Sequence, residues 1–205
     1  MRYVTTIKRS FLDNAQRELI IDPNFLKFED KNHKDDSYTI FEKDQIKAYR
    51  YGIKWFRGYK FVFGREYQIF IQNHDNKIIK LTFSSYYGRR VREYNQKYSE
   101  IIDQLWSNYF RDIASTFIKK LRNNERFSLG KVEFSQNGLI FTSGVSNKYK
   151  IEILWDDLGA KDYQNYFALF SKSDQAKINF CLYYKDDWNT AIVYSIVRTF
   201  LNEKI

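Results

Sequence analysis

Leu19-Ile20-Ile21-Asp22-Pro23-Asn24-Phe25-Leu26-Lys27-Phe28 and Val132-Glu133-Phe134-Ser135-Gln136-Asn137-Gly138-Leu139-Ile140-Phe141 read as the same sentence written twice. Each is an alternating β-type run, a turn, and a second alternating run. At an offset of 113, Leu19 falls on Val132, Ile21 on Phe134, Asn24 on Asn137, Leu26 on Leu139 and Phe28 on Phe141. Asn137-Gly138 is a strong two-residue hairpin signal, because both residues tolerate positive φ, and Pro23-Asn24 is its weaker counterpart. A chain that repeats a strand–turn–strand unit in this way predicts two related β-rich domains.

The match continues outward. Tyr38 to Phe41 leads to Asp44-Gln45-Ile46, and Lys150 to Trp155 leads to Asp156-Asp157-Leu158, at an offset of 112. Tyr67-Gln68-Ile69-Phe70-Ile71 turns through Asn73-His74-Asp75-Asn76 and returns as Ile79-Lys80-Leu81-Thr82-Phe83. Tyr166-Phe167-Ala168-Leu169-Phe170 turns through Lys172-Ser173-Asp174-Gln175 and returns as Ile178-Asn179-Phe180-Cys181-Leu182, at an offset of 99. The change of offset gives the first unit about 13 extra residues, within Lys47 to Arg65. An amphipathic helix follows each hairpin. The first carries Val91, Tyr94, Tyr98, Ile101, Ile102, Leu105, Trp106, Tyr109 and Phe110 at spacings of three and four. The second carries Ile192, Ile196, Val197, Phe200 and Leu201, with Asn189 or Asp187 at its N-terminus.

The expected class is therefore α+β, mostly β, with each sheet covered by the helix that follows it. The expected division is a first unit over 1–110, a helical connector over 111–125 and a second unit over 126–205. Tyr3 to Arg9 reads either as a first strand or as an arm.

In this pattern each half resembles a bacterial pleckstrin-homology-like domain. The resemblance is carried by Val132 to Phe141, by Ile153-Leu154-Trp155-Asp156-Asp157-Leu158, and by the hairpin and closing helix to Leu201; it is weaker over 17–110. It implies two tandem units, each a bent antiparallel sheet or partly open barrel capped by a C-terminal helix. Members that bind inositol lipids place basic residues between their first two strands. The turns read here for that place, Pro23-Asn24 and Asn137-Gly138, carry none.

Composition narrows the function classes. Of 205 residues, 19% are aromatic, with 17 Tyr and 18 Phe, which suits half-buried pleated surfaces. One Pro and eight Gly leave no flexible or low-complexity tract. No run approaches the ~18 to 20 apolar residues of a membrane span. Met1 to Ser10 has no apolar core to serve as a secretory signal, and Cys181 is the sole cysteine, so the expected compartment is the cytoplasm, with a peripheral membrane association open.

The net charge of +9 is uneven. Residues 1–122 hold 24 Lys/Arg against 15 Asp/Glu, and residues 123–205 hold ten of each. Lys47 to Arg65 contains six basic residues, Lys47, Arg50, Lys54, Arg57, Lys60 and Arg65, and no acidic one in 19 positions. Tyr49, Tyr51, Trp55, Phe56 and Tyr59 are interleaved with them. Arg89, Arg90 and Arg92 add three charges at the start of the first helix, the end whose dipole repels cations. Two readings of 47–65 stand: a long twisted hairpin with aromatics inward and Lys/Arg solvated, or a contact surface in which cations meet anionic groups and aromatics anchor. The candidate binding residues are Lys47, Arg50, Lys54, Trp55, Arg57, Tyr59, Lys60, Arg65, Arg89, Arg90 and Arg92.

Elsewhere the bland readings prevail. Neighbouring Asp156 and Asp157 on a strand would face opposite ways and form no dyad. His33 with Asp35 and Asp36, and His74 with Asp75, read as solvated turns, because a metal site needs three or four converging ligands. Cys181 reads as an inert strand residue. No phosphate-binding glycine loop or nucleophile elbow is present. The expectation is a non-catalytic binding or scaffolding protein with no cofactor. Its partner would be another protein or a second copy, or alternatively an anionic membrane or nucleic acid met through 47–65 and Arg89–Arg92.

Overall fold

A computed structural model of the chain describes residues 2–9, 13, 15–30, 38–143 and 149–203. They divide after Phe110 into two units, Met1–Phe110 and Arg111–Ile205.

Unit 1 begins with a four-stranded antiparallel meander, β1 (Tyr3–Ile7), β2 (Arg17–Ile21), β3 (Phe25–Glu29) and β4 (Tyr38–Glu42). A 3₁₀ turn, Lys43–Gln45, leads to a second meander, β5 (Ile46–Arg57), β6 (Val62–Asn73) and β7 (Ile78–Tyr86). Helix α1 (Val91–Leu105) and a π segment (Trp106–Phe110) close the unit. Alternation sends Leu19, Ile21, Leu26, Phe28, Tyr67, Ile69, Ile71, Leu81 and Phe83 inward, where α1 meets them with Tyr94, Ile101 and Leu105. The Tyr67 ring stacks on Phe83 at 5.0 Å and its hydroxyl donates to Asn95 Oδ1. Phe110 stacks on Tyr49 at 3.6 Å. The Tyr109 hydroxyl lies 2.7 Å from the carbonyl oxygens of both Asp22 and Phe25, which ties the π segment to the β2–β3 turn. Burial pushes the Tyr98 and Tyr109 hydroxyls well above the usual tyrosine range, so both stay neutral.

Unit 2 opens on α2 (Arg111–Arg122), the segment expected as a connector, which packs against the unit's last helix and stacks Phe117 near Phe127. A four-stranded meander follows, β8 (Phe127–Leu129), β9 (Val132–Phe134), β10 (Gly138–Ser143) and β11 (Tyr149–Leu154). Then come a three-stranded meander, β12 (Leu158–Asp162), β13 (Tyr166–Ser171) and β14 (Asn179–Tyr183), and helix α3 (Thr190–Glu203). Asn189, at φ 63°, precedes the first residue of α3, as read from the sequence. Asp187 instead accepts the N–H of Tyr183 and pairs with Lys131 at 2.7 Å.

Among the described residues the architecture is thus mostly β, with four antiparallel sheets, none closed, and each unit ending in a helix. The two units repeat in register. Leu19 pairs with Phe28 and Ile21 with Leu26, as Val132 pairs with Phe141 and Phe134 with Leu139. The Lys43 N–H donates to Asn24 O, and the Trp155 N–H donates to Asn137 O. The His74 N–H donates to Gln45 O, and the Lys172 N–H donates to Asp157 O.

Three readings need correction. First, the last pair of contacts equates Asn73 with Ser171, so Ile69 matches Phe167 and Ile71 matches Leu169. That is one residue away from the sequence match at 99, and a one-residue slip turns every side chain to the other face. On the return strand the pairings Ile71–Ile79 and Leu169–Phe180 equate Ile79 with Phe180. Second, Gly138 does not have positive φ, nor does Asn137. The Ser135 N–H donates to Gly138 O at 2.9 Å, which puts Gln136-Asn137 at the centre of the turn. Third, Tyr3–Ile7 is a strand, so Pro23-Asn24 and the 135–138 turn join the second and third strands of their units. The loop between the first two strands of unit 1 begins instead with Lys8 and Arg9.

Candidate functional site

The largest difference between matching strands of the two units lies in one hairpin. β5 and β6 have 12 residues each, whereas β12 and β13 have five and six. β5 and β6 keep pairing through Phe56–Gly64 and, after a register shift, to Arg57–Val62, whereas β7 follows only as far as Tyr86, opposite Gly64. Beyond that line the hairpin continues without a third strand. Gly58 donates its N–H to Phe61 O at 2.8 Å, closing a turn with Tyr59-Lys60 at its centre.

Strand alternation sorts the aromatic residues of this hairpin. Tyr49, Tyr51, Ile53 and Trp55 share the face of Ile71, Ile69, Tyr67 and Arg65. Tyr49 is therefore buried against Phe110, and Tyr51 is half-buried near Tyr98. Trp55 lies past the core and carries the Arg65 guanidinium over its ring at 4.5 Å. On the opposite face Phe56 stacks on Tyr86 at 5.6 Å across Gly64. A Cβ at Gly64 would stand 2.7 Å from the Tyr86 ring and 3.1 Å from that of Phe56. The glycine is what lets two rings on non-adjacent strands meet.

Phe63 sits 6.2 Å from Phe56 and 6.4 Å from both Phe61 and Tyr87. Tyr87 donates its N–H to Phe63 O, which fastens the β7–α1 loop to the base of the tip. The outermost side chains are solvent-exposed although apolar or aromatic: Tyr59 97%, Tyr87 78%, Phe61 61% and Val62 49%. Phe61, Val62 and Tyr87 were not singled out from the sequence. Their signal is positional: they lie beyond the last residue pair that has a third strand beside it.

The cations divide likewise. Lys54, Arg57, Lys60 and Arg65 surround the tip, and Arg89 and Arg90 join them through the β7–α1 loop. Lys54 lies opposite Glu66 in register, and Arg90 Nε is 3.9 Å from Glu93. Lys47 is at the other end of β5, next to the Ile46–Asn73 pair. Arg50 lies over the Phe70 ring at 4.9 Å and is only partly exposed. Arg92 points from the first turn of α1 and is exposed. Arg90 itself is the residue before α1, in the left-handed region at φ 56°, and its side chain caps no N–H. Behind it, a cavity of about 260 Å³ is lined by Lys8, Ser84, Ser85, Tyr86, Arg89, Arg90 and Tyr94.

The remaining candidates are structural. Trp155 is buried, stacks on Phe200 at 5.2 Å and donates Nε1–H to Ser135 O. Asp157 accepts from the Ser171 hydroxyl and from the N–H and hydroxyl of Ser173, and these donors hold its carboxyl below its ordinary range. Cys181 faces Ala168 across β13–β14. Among the described residues no group of three His, Cys, Asp or Glu converges to hold a metal ion. His33, Asp35 and Asp36 lie outside the described residues. Among the described residues no helix is long and apolar enough to cross a membrane. Comparison with known proteins finds no family model and no curated protein that matches the chain.

Proposed function

We propose that the chain is a non-catalytic binding protein built of two pleckstrin-homology-like units, and that unit 1 attaches to an anionic surface through the end of its β5–β6 hairpin. The order of four strands, three strands and a helix in both units supports the fold reading. One observation carries the functional reading: the hairpin outgrows its sheet and ends in exposed aromatic residues ringed by cations, with no carboxylate between Arg57 and Arg65. Exposed apolar groups gathered in one place mark contact sites. Cations gathered beside them set the sign of what is met. The partner favoured first from sequence, another protein, becomes an outcome of the test.

Each Lys or Arg near an anionic surface contributes about 1 kcal/mol. Reversing Lys54, Arg57 and Lys60 to Glu therefore lowers affinity for anionic vesicles or polyanions by roughly a hundredfold or more, and wild-type binding weakens steeply with salt. Lys172→Gln with Lys177→Gln in unit 2 changes neither. Binding indifferent to the triple reversal and to salt, or capture only of a specific protein by both versions, overturns the reading.

A further inference from the structure

We infer that the anionic surface is a phospholipid bilayer and that the hairpin tip enters its interface. This rests on the reading above and adds the class of partner and the mode of contact.

The argument is the order in which side chains occur along the hairpin. At the apex are Tyr59, Phe61 and Val62, with Tyr87 beside them, all exposed. Lys60 shares the centre of the turn with Tyr59, and Arg57 stands opposite Val62. Lys54, Arg65, Arg89 and Arg90 stand one step back, near the line where β7 ends. Apart from Lys60, whose flexible stem lets its charge reach back, the apolar groups of the apex stand level with or ahead of the cations, which suits a bilayer, where hydrocarbon lies beneath charged headgroups and aromatic rings favour the boundary.

The depth agrees. From the Phe56–Gly64 pair to the Tyr59-Lys60 turn is three residues, a reach of at most about 10 Å at ~3.3 Å per residue. Interfacial segments bury their apolar side by roughly 5–10 Å. The cations at the base would then lie level with the headgroups.

A single-stranded nucleic acid asks for something else: aromatic faces open along a groove that tracks the backbone. Here Phe56 and Phe63 present their faces to neighbouring rings, and the exposed apolar set includes an aliphatic residue, Val62, at a convex apex. The layering selects charge and interface depth, so anionic lipids of equal charge serve alike.

The test uses the full chain and vesicles of phosphatidylcholine alone or enriched in phosphatidylglycerol or phosphatidylserine. The variant Tyr59→Ser/Phe61→Ser/Val62→Ser keeps every cation, and the variant Lys54→Glu/Arg57→Glu/Lys60→Glu keeps every apex residue. Thermal midpoints confirm that both are folded. The expected result is binding to both anionic vesicles, weakened about tenfold or more by the serine variant and abolished by the charge variant. Emission from a Tyr59→Trp variant, measured against the parent, is quenched by lipids brominated on the acyl chains. Vesicle binding lost with the charge variant but untouched by the serine variant overturns insertion and leaves surface attachment standing. Binding to nucleic acid but not to vesicles overturns the bilayer and also leaves anionic attachment standing. Binding to neither overturns both readings.

Discussion

Gly64 and Gly138 occupy strands, where glycine is ordinarily a weakness, and each is there for a neighbour. At Gly64 the obstacle to a side chain is a pair of rings, Tyr86 and Phe56, which can shift. At Gly138 it is backbone: a Cβ would lie 2.0 Å from Ile153 O and 2.8 Å from Leu154 Cα. Backbone in a paired strand has nowhere to go. Gly64→Ala is therefore expected to cost about 1–3 kcal/mol in denaturant unfolding, the ordinary range for overpacking, and Gly138→Ala more than that. A Gly138→Ala protein as stable as the parent would show that the β10–β11 approach is not the reason for the residue. The sequence reading had the right residue for the wrong cause. Asn-Gly suggests positive φ, whereas the demand at Gly138 comes from a strand that lies 15 positions further along the chain, at Ile153, and no local pattern announces it.

At the level of elements, the strands of both units were legible because alternation is a local property. Leu19 to Phe28 pairs about Pro23-Asn24 as read, whereas Val132 to Phe141 pairs about Gln136-Asn137, one residue before the Asn-Gly turn that was read there. The later hairpins were harder. Tyr166-Phe167-Ala168-Leu169-Phe170 is apolar throughout, so parity could not be judged from residue type, and the match slipped by one. The extra length was seen at Lys47 to Arg65, but not its form: the cations and rings drew attention, while Phe61 and Val62 looked like ordinary strand residues. Tyr49, Tyr51 and Arg50 carry the same composition signal and turn out to pack inside or along the sheet. Among the described residues outside the tip, its own residues meet only half-buried or exposed groups, Phe56 and Tyr87, both through Phe63. Replacing Arg57–Phe63 by Asn-Gly, between the paired Phe56 and Gly64, should thus leave unfolding free energy within about 1 kcal/mol of the parent, since a shorter loop closes at slightly lower entropic cost. The same change should abolish vesicle binding. Collapse of the fold on trimming would mean that the tip is part of the core's support.

For the molecule as a whole, acid is the informative stress. Asp13 accepts a hydrogen bond from the buried Arg17 at 2.6 Å, Glu133 is held by Arg126 and Lys150, and Asp157 by Ser171 and Ser173. These partners lower all three carboxyls in the folded state. A lowered carboxyl stabilises the fold above its unfolded value, about 4, and that contribution is lost as pH falls through the folded value. Thermal midpoints should therefore drop as pH falls below about 4, and Asp157→Asn should make the decline shallower at a cost already visible at neutral pH. An unchanged acid limb in that variant would show that the serine donors do not couple to folding. Charge was the whole-chain feature most open to reading in advance, because it needs only a count. The +9 belongs to the first 122 residues, and the hairpin gathers part of it at one end.

The shared frame of the two units has a further consequence. Ile46 and Asn73 bracket the long hairpin just as Leu158 and Ser171 bracket the short one, with matching backbone hydrogen bonds at each bracket. Unit 2 is in effect a natural blank: the same socket fitted with a stub. The tip can then be regarded as a detachable part: the socket holds a hairpin of either length with the same backbone hydrogen bonds.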